Sequence, residues 1–170
     1  MTDRPAERYE VFVSKDYFKF NAAHFMAYPG FRERLHGHNY RISVRVTGGL
    51  GPDGYVVDFG DIKKGARAIC EEIDERTIVP LENDCIAITQ HDSQVGLVCE
   101  DGSRFSFPVA DCALLPIRHS SAEELASYIC HRLVDELAVL GARSVDSVEV
   151  SVAEAPLQEA RCRLDLGPGS

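Results

Sequence analysis

The sequence predicts an α+β fold in which two helices cover one face of an antiparallel sheet. Segments 36–47 and 144–154 alternate apolar and polar residues, as half-buried strands do. Two segments between them begin with a capping residue, Asp58 and Ser121, and continue with a helical pattern. Because the helices need an apolar surface to cover and the alternating strands supply one, a sandwich fits better than a doubly wound fold.

The first two strands are predicted over 9–24 and 36–47. The first is rich in aromatic and β-branched residues, and its alternate positions lead to His24 at its end. In the second, the even positions from Tyr40 to Val46 are apolar and the odd positions are polar. A period of two places each set on its own face of a sheet.

A helix is predicted from Asp58 or Asp61 to about Asp74, because either aspartate can cap its start. Segment 85–110 has a different pattern. It contains short β-like runs separated by Asp-Ser and by Asp101-Gly102, and an Asp-Gly pair between such runs predicts a hairpin.

The last third of the chain predicts a second helix and two strands. The helix begins at Ser121 with two acidic residues in its first turn and ends at about Leu140, before a glycine. Segment 144–154 places three valines on one face, and 160–164 is the last predicted strand.

Length and charge limit the possible classes of protein. With 170 residues, of which 45% are apolar and 26% charged, the chain has the composition of one globular domain, over 1–170. Its formal net charge of −9 disfavours nucleic-acid binding, which usually needs a basic surface. No apolar stretch approaches the roughly 20 residues of a membrane helix, and no signal-peptide core is visible. We therefore expect no membrane partner and a cytoplasmic location.

The cysteines form no C-x-x-C pair, the spacing typical of zinc and redox motifs. With no signal peptide predicted, they are expected to be reduced thiols that serve mostly as small core residues. There are six of them: Cys70, Cys85, Cys99, Cys112, Cys130 and Cys162.

The strongest chemical signal is the pair His36 and His38 at the start of the second strand. Residues i and i+2 of a strand point to the same side, so both imidazoles can approach one zinc ion. In an antiparallel pair, His24 at the end of the first strand meets them. Three protein ligands leave the fourth position open, as in catalytic zinc sites. A lone histidine is more often structural, and a structural zinc site in an interaction protein is the alternative.

Four acidic residues are further candidates. Glu154 extends a core-facing row of valines, where a carboxylate can hold a guanidine-like edge of a ligand or form a salt bridge. Glu33 lies in the loop between the histidines and can act as a general base or remain a solvated charge. Asp74 and Glu75 form either a proton relay or a polar helix end.

Together these residues resemble the family of 6-pyruvoyl-tetrahydropterin and 6-carboxy-tetrahydropterin synthases. The resemblance covers roughly residues 10–78 and 119–164, which leaves 85–116 as an insertion. It is carried by the segments FNAAH at 20–24, LHGHNY at 35–40 and VDF at 57–59, and by Glu154.

The resemblance implies a tunnelling fold (T-fold), a four-stranded antiparallel sheet with two helices on one face. It also implies trimers that stack into homo-hexamers, with sites between subunits. The implied cofactor is a zinc ion on the three histidines. The implied substrate is a pterin, anchored by Glu154 and contacted by Ser120 and Ser121.

Two positions differ from the common members of that family. No cysteine base precedes His36, and Glu75 stands where a histidine usually follows the aspartate. The spacing of Glu33 is similar to that of a third type, found in malaria parasites and various bacteria, in which glutamate replaces the cysteine. Those enzymes convert 7,8-dihydroneopterin triphosphate to 6-hydroxymethyl-7,8-dihydropterin, a folate precursor. The resemblance thus implies Glu33 as base, with Asp74 and Glu75 as further catalytic residues.

Besides the structural zinc site, two alternatives within this family remain open at this point. One is a 6-carboxy-tetrahydropterin synthase-like lyase of queuosine biosynthesis that uses another residue in place of the missing cysteine. The other is a pterin-binding paralogue without catalytic activity. The products formed from 7,8-dihydroneopterin triphosphate distinguish the side-chain cleavage enzyme, the carboxy-forming lyase and the binding paralogue.

Overall fold

The computed structural model describes residues 7–141 and 144–167. Two α-helices, α1 and α2, span Phe59–Ile73 and Ala122–Val139. The strands are β1 Tyr9–Val13, β2 Lys19–His24, β3 Ala27–Tyr28, β4 Phe31–Arg32, β5 His36–Gly48, β6 Arg76–Pro80, β7 Ile86–His91, β8 Gln94–Cys99, β9 Arg104–Pro108, β10 Cys112–Leu115, β11 Val145–Ala155 and β12 Gln158–Asp165.

The main sheet has the strand order β10-β6-β2-β5-β11-β12, and β1 also pairs with β5. From β2 to β12 every pair is antiparallel, which confirms the predicted four-stranded antiparallel sheet. Strands β6 and β10 extend its β2 edge in parallel. The α+β fold predicted from the sequence is therefore correct, on a larger and mixed sheet.

The predicted strand 9–24 is two strands. Both pair with the same edge of β5, with Val13 opposite Val44 and Lys19 opposite Arg41. Between those two pairs, the chain from β1 to β2 has five residues, whereas β5 has two. The longer connection must therefore bulge out of the sheet. A hydrogen bond from the Phe18 N–H to the Lys15 carbonyl closes the bulge.

Both helices begin and end where the sequence predicts. The Asp58 side chain accepts a hydrogen bond from the Gly60 N–H and caps α1, and Asp74 is the residue at its C-terminal end. Ser121 caps α2 through the Glu124 N–H. Each helix turns one apolar face to the sheet, where the even residues of β5 from Tyr40 to Val46 are buried. In the described part of the chain, neither helix is long and apolar enough to cross a membrane.

The segment predicted as a hairpin forms a separate antiparallel sheet of three strands, β7-β8-β9, named the outer sheet below. It has its own apolar cluster, which includes Phe25 and Ala27 next to the end of β2. The outer sheet therefore packs against the loop between β2 and β5.

Four strands were not predicted. Strands β3 and β4 form a two-residue hairpin around Pro29-Gly30, a turn dipeptide that could have revealed it. Strands β6 and β10 are short apolar runs, which sequence patterns do not distinguish from loops or buried helix ends.

Candidate functional site

The three histidines meet at one end of the β2–β5 pair. Register places His24 directly opposite His36, and His38 opposite Ala22. The ring centroids are 4.7 Å apart for His24 and His36, 5.2 Å for His24 and His38, and 4.8 Å for His36 and His38. Regular alternation along both strands points all three rings to the helix-covered face of the sheet.

Hydrogen bonds orient two of the three rings. The Nδ1 of His24 lies 2.8 Å from the Ser120 carbonyl oxygen, and the Nδ1 of His36 lies 2.9 Å from the Arg34 carbonyl oxygen. A carbonyl only accepts, so each Nδ1 carries the proton and each Nε2 keeps its lone pair. Histidines that bind metals commonly donate their other N–H in this way.

The donor atoms fit a zinc ion. Their ligand nitrogens all lie within 4.8 Å of one another. The Nε2 atoms of His36 and His38 are 3.0 Å apart, close to the roughly 3.3 Å that two nitrogens take on one tetrahedral zinc. Within residues 7–141 and 144–167, the buried Nε2 of His24 has no hydrogen-bond partner. A metal would satisfy an atom that is otherwise costly to bury.

Burial also prepares His24 for a metal. Its side chain is 3% exposed. Desolvation lowers the pKa of His24, and the hydrogen bond to Ser120 opposes that effect in part. The imidazole therefore stays neutral at neutral pH, which is the form that binds metals.

Glu33 lies beside the triad. Its Oε1 is 3.8 Å from the His36 Nε2, and its Oε2 accepts a hydrogen bond of 3.2 Å from the Met26 N–H. Its own N–H donates to the Met26 carbonyl at 2.8 Å. The two hydrogen bonds with Met26 thus hold Glu33 beside the histidine cluster, and Oε1 is the carboxylate oxygen that faces it.

A cavity of about 490 Å³ opens from the histidines. Its polar lining includes Glu33, Glu154 and Ser121 together with the triad. Sequence patterns do not single out the remaining residues of the wall, which are Met26, Ala122, Glu123, Gln158, Glu159 and Ala160. Those after Pro156 reach the cavity because β12 folds back beside β11, and no motif marks them.

Glu154 lies close enough to Tyr40 to affect the ionisation of its hydroxyl. Tyr40 is fully buried on β5, and among the described residues its hydroxyl has no hydrogen-bond partner. Burial raises the pKa of Tyr40, and the nearby charge of Glu154 raises it further. The phenol therefore stays protonated, and its O–H remains available as a donor.

The two serines have different positions. Ser121 lines the cavity at the start of α2. Ser120 is 1% exposed. Its Oγ donates to the Phe25 carbonyl at 3.0 Å and lies 3.2 Å from the His24 Nδ1. Ser120 therefore contacts the side of the His24 ring that faces away from the cavity.

Asp74 and Glu75 lie outside this cavity in the single chain. The Asp74 carboxylate accepts a hydrogen bond of 2.7 Å from the Asn21 N–H. Glu75, with a φ of 57°, lines a second cavity of about 380 Å³ together with Asn39 and Arg76. The fold brings six of the nine predicted residues to the histidine cavity, places Ser120 behind it, and leaves this pair at another surface.

Comparisons with known proteins identify the family of the chain. The family model described as 6-pyruvoyl tetrahydropterin synthase matches residues 13–165. A putative 6-carboxy-5,6,7,8-tetrahydropterin synthase of Methanocaldococcus jannaschii is 35% identical over 71% of this chain and 74% of its own. A 6-carboxy-5,6,7,8-tetrahydropterin synthase of Haemophilus influenzae is 30% identical over 71% of this chain and 80% of its own.

Among solved structures, the 6-pyruvoyl tetrahydropterin synthase of Plasmodium vivax is 41% identical with a TM-score of 0.88, covering 94% of this chain and 99% of that one. The structures of two variants of that protein, with one glutamate changed to alanine or to cysteine, are each described as a catalytic residue mutant. The family match over almost the whole chain agrees with the histidine cluster and the sheet that carries it. This chain therefore belongs to the 6-pyruvoyl tetrahydropterin synthase family.

Proposed function

We propose that this protein is a zinc-dependent lyase that cleaves the side chain of 7,8-dihydroneopterin triphosphate to give 6-hydroxymethyl-7,8-dihydropterin, a step of folate-type pterin biosynthesis. The observation that carries the proposal is the position of Glu33. Its free Oε1 lies 3.8 Å from a histidine of the cluster, on the wall of a cavity large enough for a pterin.

His24, His36 and His38 would hold the zinc ion through Nε2. A zinc ion in that place supplies Lewis acidity, which makes a nearby substrate hydroxyl easier to deprotonate. Glu154, which also lines the cavity, would accept two parallel N–H groups from the amino-pyrimidinone edge of the pterin. Ser121 offers a further hydrogen bond.

Glu33 would act as the base. Its Oε2 is occupied by the Met26 N–H, so Oε1 takes the proton from the outer of the two side-chain hydroxyls. The bond between the two hydroxyl-bearing carbons then breaks, and the outer carbon leaves as an aldehyde that carries the triphosphate. The electron pair passes to the inner carbon, in conjugation with the ring. That carbon takes the proton back from Glu33 and becomes the hydroxymethyl group.

The Plasmodium vivax protein supports this assignment. In that protein, which is 41% identical to this chain, a glutamate is described as a catalytic residue. Among the described residues, Glu33 is the carboxylate that lies within 4.0 Å of a ring nitrogen of the histidine cluster, at 3.8 Å from the His36 Nε2. We infer the same role for it here.

Asp74 and Glu75 would take part from a neighbouring copy. If the protein forms the homo-hexamer that the family resemblance implies, with sites between subunits, a second chain can bring this acidic pair to the histidine cavity. Within one chain the pair ties α1 to β2 through Asn21.

The test is an incubation of zinc-loaded protein with 7,8-dihydroneopterin triphosphate, with products separated by chromatography. We expect 6-hydroxymethyl-7,8-dihydropterin from the unaltered protein and a loss of about 100-fold or more in Glu33→Gln, which keeps the shape but not the basicity. Glu71→Gln removes a carboxylate from a surface pair with Arg67 and serves as the control.

A second function is favoured by the names of the curated relatives. Several are described as 6-carboxy-5,6,7,8-tetrahydropterin synthases, the lyases of queuosine biosynthesis implied by the resemblance. A carboxy or pyruvoyl product in the same incubation would assign the chain to those branches and remove the role of Glu33. Tight pterin binding without any product would indicate a binding paralogue.

A further inference from the structure

The position of Glu33 depends on a very small element. Glu33 directly follows β4, and β3 and β4 contain two residues each. An isolated hairpin is at best marginally stable in water even when it is longer. Something outside the hairpin must therefore fix it if the carboxylate is to stay beside His36.

Arg32 connects the hairpin to the outer sheet. Its Nε donates to the Asp101 carboxylate at 2.6 Å, in the turn between β8 and β9. Its second nitrogen, Nη1, donates to the backbone carbonyl of Glu33 at 2.9 Å. The guanidinium also lies 5.7 Å from the ring centre of Phe105 on β9. The Arg32 side chain thus joins the backbone of Glu33 to the β8–β9 turn and to β9 of the outer sheet.

The ion pair is charged on both sides at neutral pH. The hydrogen bond that Asp101 accepts from Arg32 lowers the pKa of Asp101, and the hydrogen bond from the Ser103 N–H lowers it further. Charge-assisted hydrogen bonds of this kind are stronger than neutral ones. The Arg32 side chain is 20% exposed and the Asp101 side chain is 43% exposed, so solvent screens the pair in part, and the contact depends on its hydrogen-bond geometry.

Apolar packing alone leaves the hairpin loosely supported. Phe25 stacks on Phe105 with ring centres 5.1 Å apart, which anchors the start of the loop. A cavity of about 310 Å³ remains between the hairpin tip and the outer sheet. Close packing is absent there, so directional contacts must set the position. A weaker tether runs from the Gly30 N–H to Glu100 at 3.4 Å.

We propose that Arg32 is the positioning residue for Glu33, and that the outer sheet serves as the scaffold that anchors it through Asp101 and Phe105. This inference rests on the proposed role of Glu33 as base. It gives the three strands of 86–108 a function in catalysis although only the loop they support reaches the histidine cavity.

The geometry requires arginine. A guanidinium is planar and presents several donors in a fixed fork, so it can serve the Asp101 carboxylate and the Glu33 carbonyl together and still lie on an aromatic ring. A lysine ammonium can keep the ion pair but not that arrangement. Arg32→Lys should therefore lose much of the positioning of Glu33, and Arg32→Ala should lose all of it.

The kinetic test compares Arg32→Ala, Arg32→Lys and Asp101→Asn with the unaltered protein. We expect kcat to fall by about 10- to 100-fold, as for a misplaced catalytic group, with KM and zinc affinity within threefold of the starting values. Arg45→Ala is the matched control, because Arg45 also pairs with carboxylates and lies on the Phe12 ring, far along β5 from the histidines.

A double variant separates positioning from general support of the fold. In a Glu33→Gln background, Arg32→Ala should reduce the remaining turnover by less than twofold, since no base is left to position. An equal loss in both backgrounds would overturn the proposal. So would a loss that appears mainly in KM or in zinc affinity.

Hydrogen exchange tests the contact without any reaction. In Arg32→Ala and Asp101→Asn, the amide of Glu33 should exchange at least tenfold faster, while amides of β5 and β11 keep their rates. Unchanged exchange at Glu33 would refute the role of Arg32. If exchange rises as expected but the unaltered protein forms no product, the proposed function fails and the positioning contact stands.

Discussion

Ser120 holds His24 from behind with both of its oxygens. The backbone carbonyl lies 2.8 Å from the His24 Nδ1, and the hydroxyl oxygen lies 3.2 Å from it. The same hydroxyl donates to the backbone carbonyl of Phe25, which directly follows His24. The ring that points most deeply into the protein is thus oriented by the residue that precedes the cap of α2.

Replacing Ser120 with alanine should weaken zinc binding. The carbonyl contact would remain, so we expect the lower end of the loss for an outer partner of a metal ligand, about tenfold in zinc affinity. Competition with a chelating dye measures it. Pterin affinity should hold, because Ser120 is buried away from the cavity. A fall in pterin affinity at constant zinc affinity would instead favour the pterin contact implied by the family resemblance.

Replacing Gly37 with alanine should also weaken zinc binding. A Cβ at Gly37 would lie 3.2 Å from the Ala22 carbonyl oxygen, a backbone atom of the paired strand. The strands must separate by a few tenths of an ångström, which moves the two flanking histidines. We expect about a tenfold loss of zinc affinity. Gly49→Ala is the control, because Gly49 follows β5 at the end away from the histidines and its Cβ would meet the flexible end of the Arg8 side chain, 3.1 Å away.

Removing the metal should lower the melting temperature. Zinc at 100 times its dissociation constant stabilises a folded site by about 2.7 kcal/mol, which is about 5–10 °C for a chain of this size. Scanning calorimetry with zinc and with a chelator gives the difference. His38→Ala should abolish the shift, whereas His91→Ala on β7 should retain it. An equal shift in both variants would contradict zinc binding by the triad.

Two core thiols should resist alkylation. Burial raises the pKa of Cys70 to about 12 and that of Cys130 to about 12, with smaller contributions from neighbouring groups. At pH 8 the thiolate fraction is therefore about 10⁻⁴, and iodoacetamide reacts with the thiolate. Mass spectrometry should find both unmodified in the native protein and labelled after denaturation. Rapid native labelling of either would show that the helices open readily.

The sequence predicts most of the fold because its local signals agree with one another. The alternation of β5 is matched by its burial, and Asp58 and Ser121 begin the two helices through the hydrogen bonds expected of caps. The same alternation predicts that His24, His36 and His38 converge. Sequence similarity and structure then agree on the family.

The features that sequence patterns miss depend on long-range contacts. Strands β6 and β10 pair in parallel with partners that are distant in sequence, so nothing local marks them. The cavity walls at Gln158 and Glu159 follow from how β12 folds back. Arg32 has the pattern of a solvated loop charge, and only its contacts with Asp101 and Phe105 show otherwise.

The register of His24 against His36 has a consequence for the order of folding. All three proposed zinc ligands lie on one antiparallel strand pair, whereas Ser120 is 96 residues further along the chain than His24. Closing the loop between β2 and β5 costs less chain entropy than bringing Ser120 next to His24. We therefore expect the nascent chain to capture zinc before α2 docks, so that the metal joins the two strands while the rest of the sheet is still assembling.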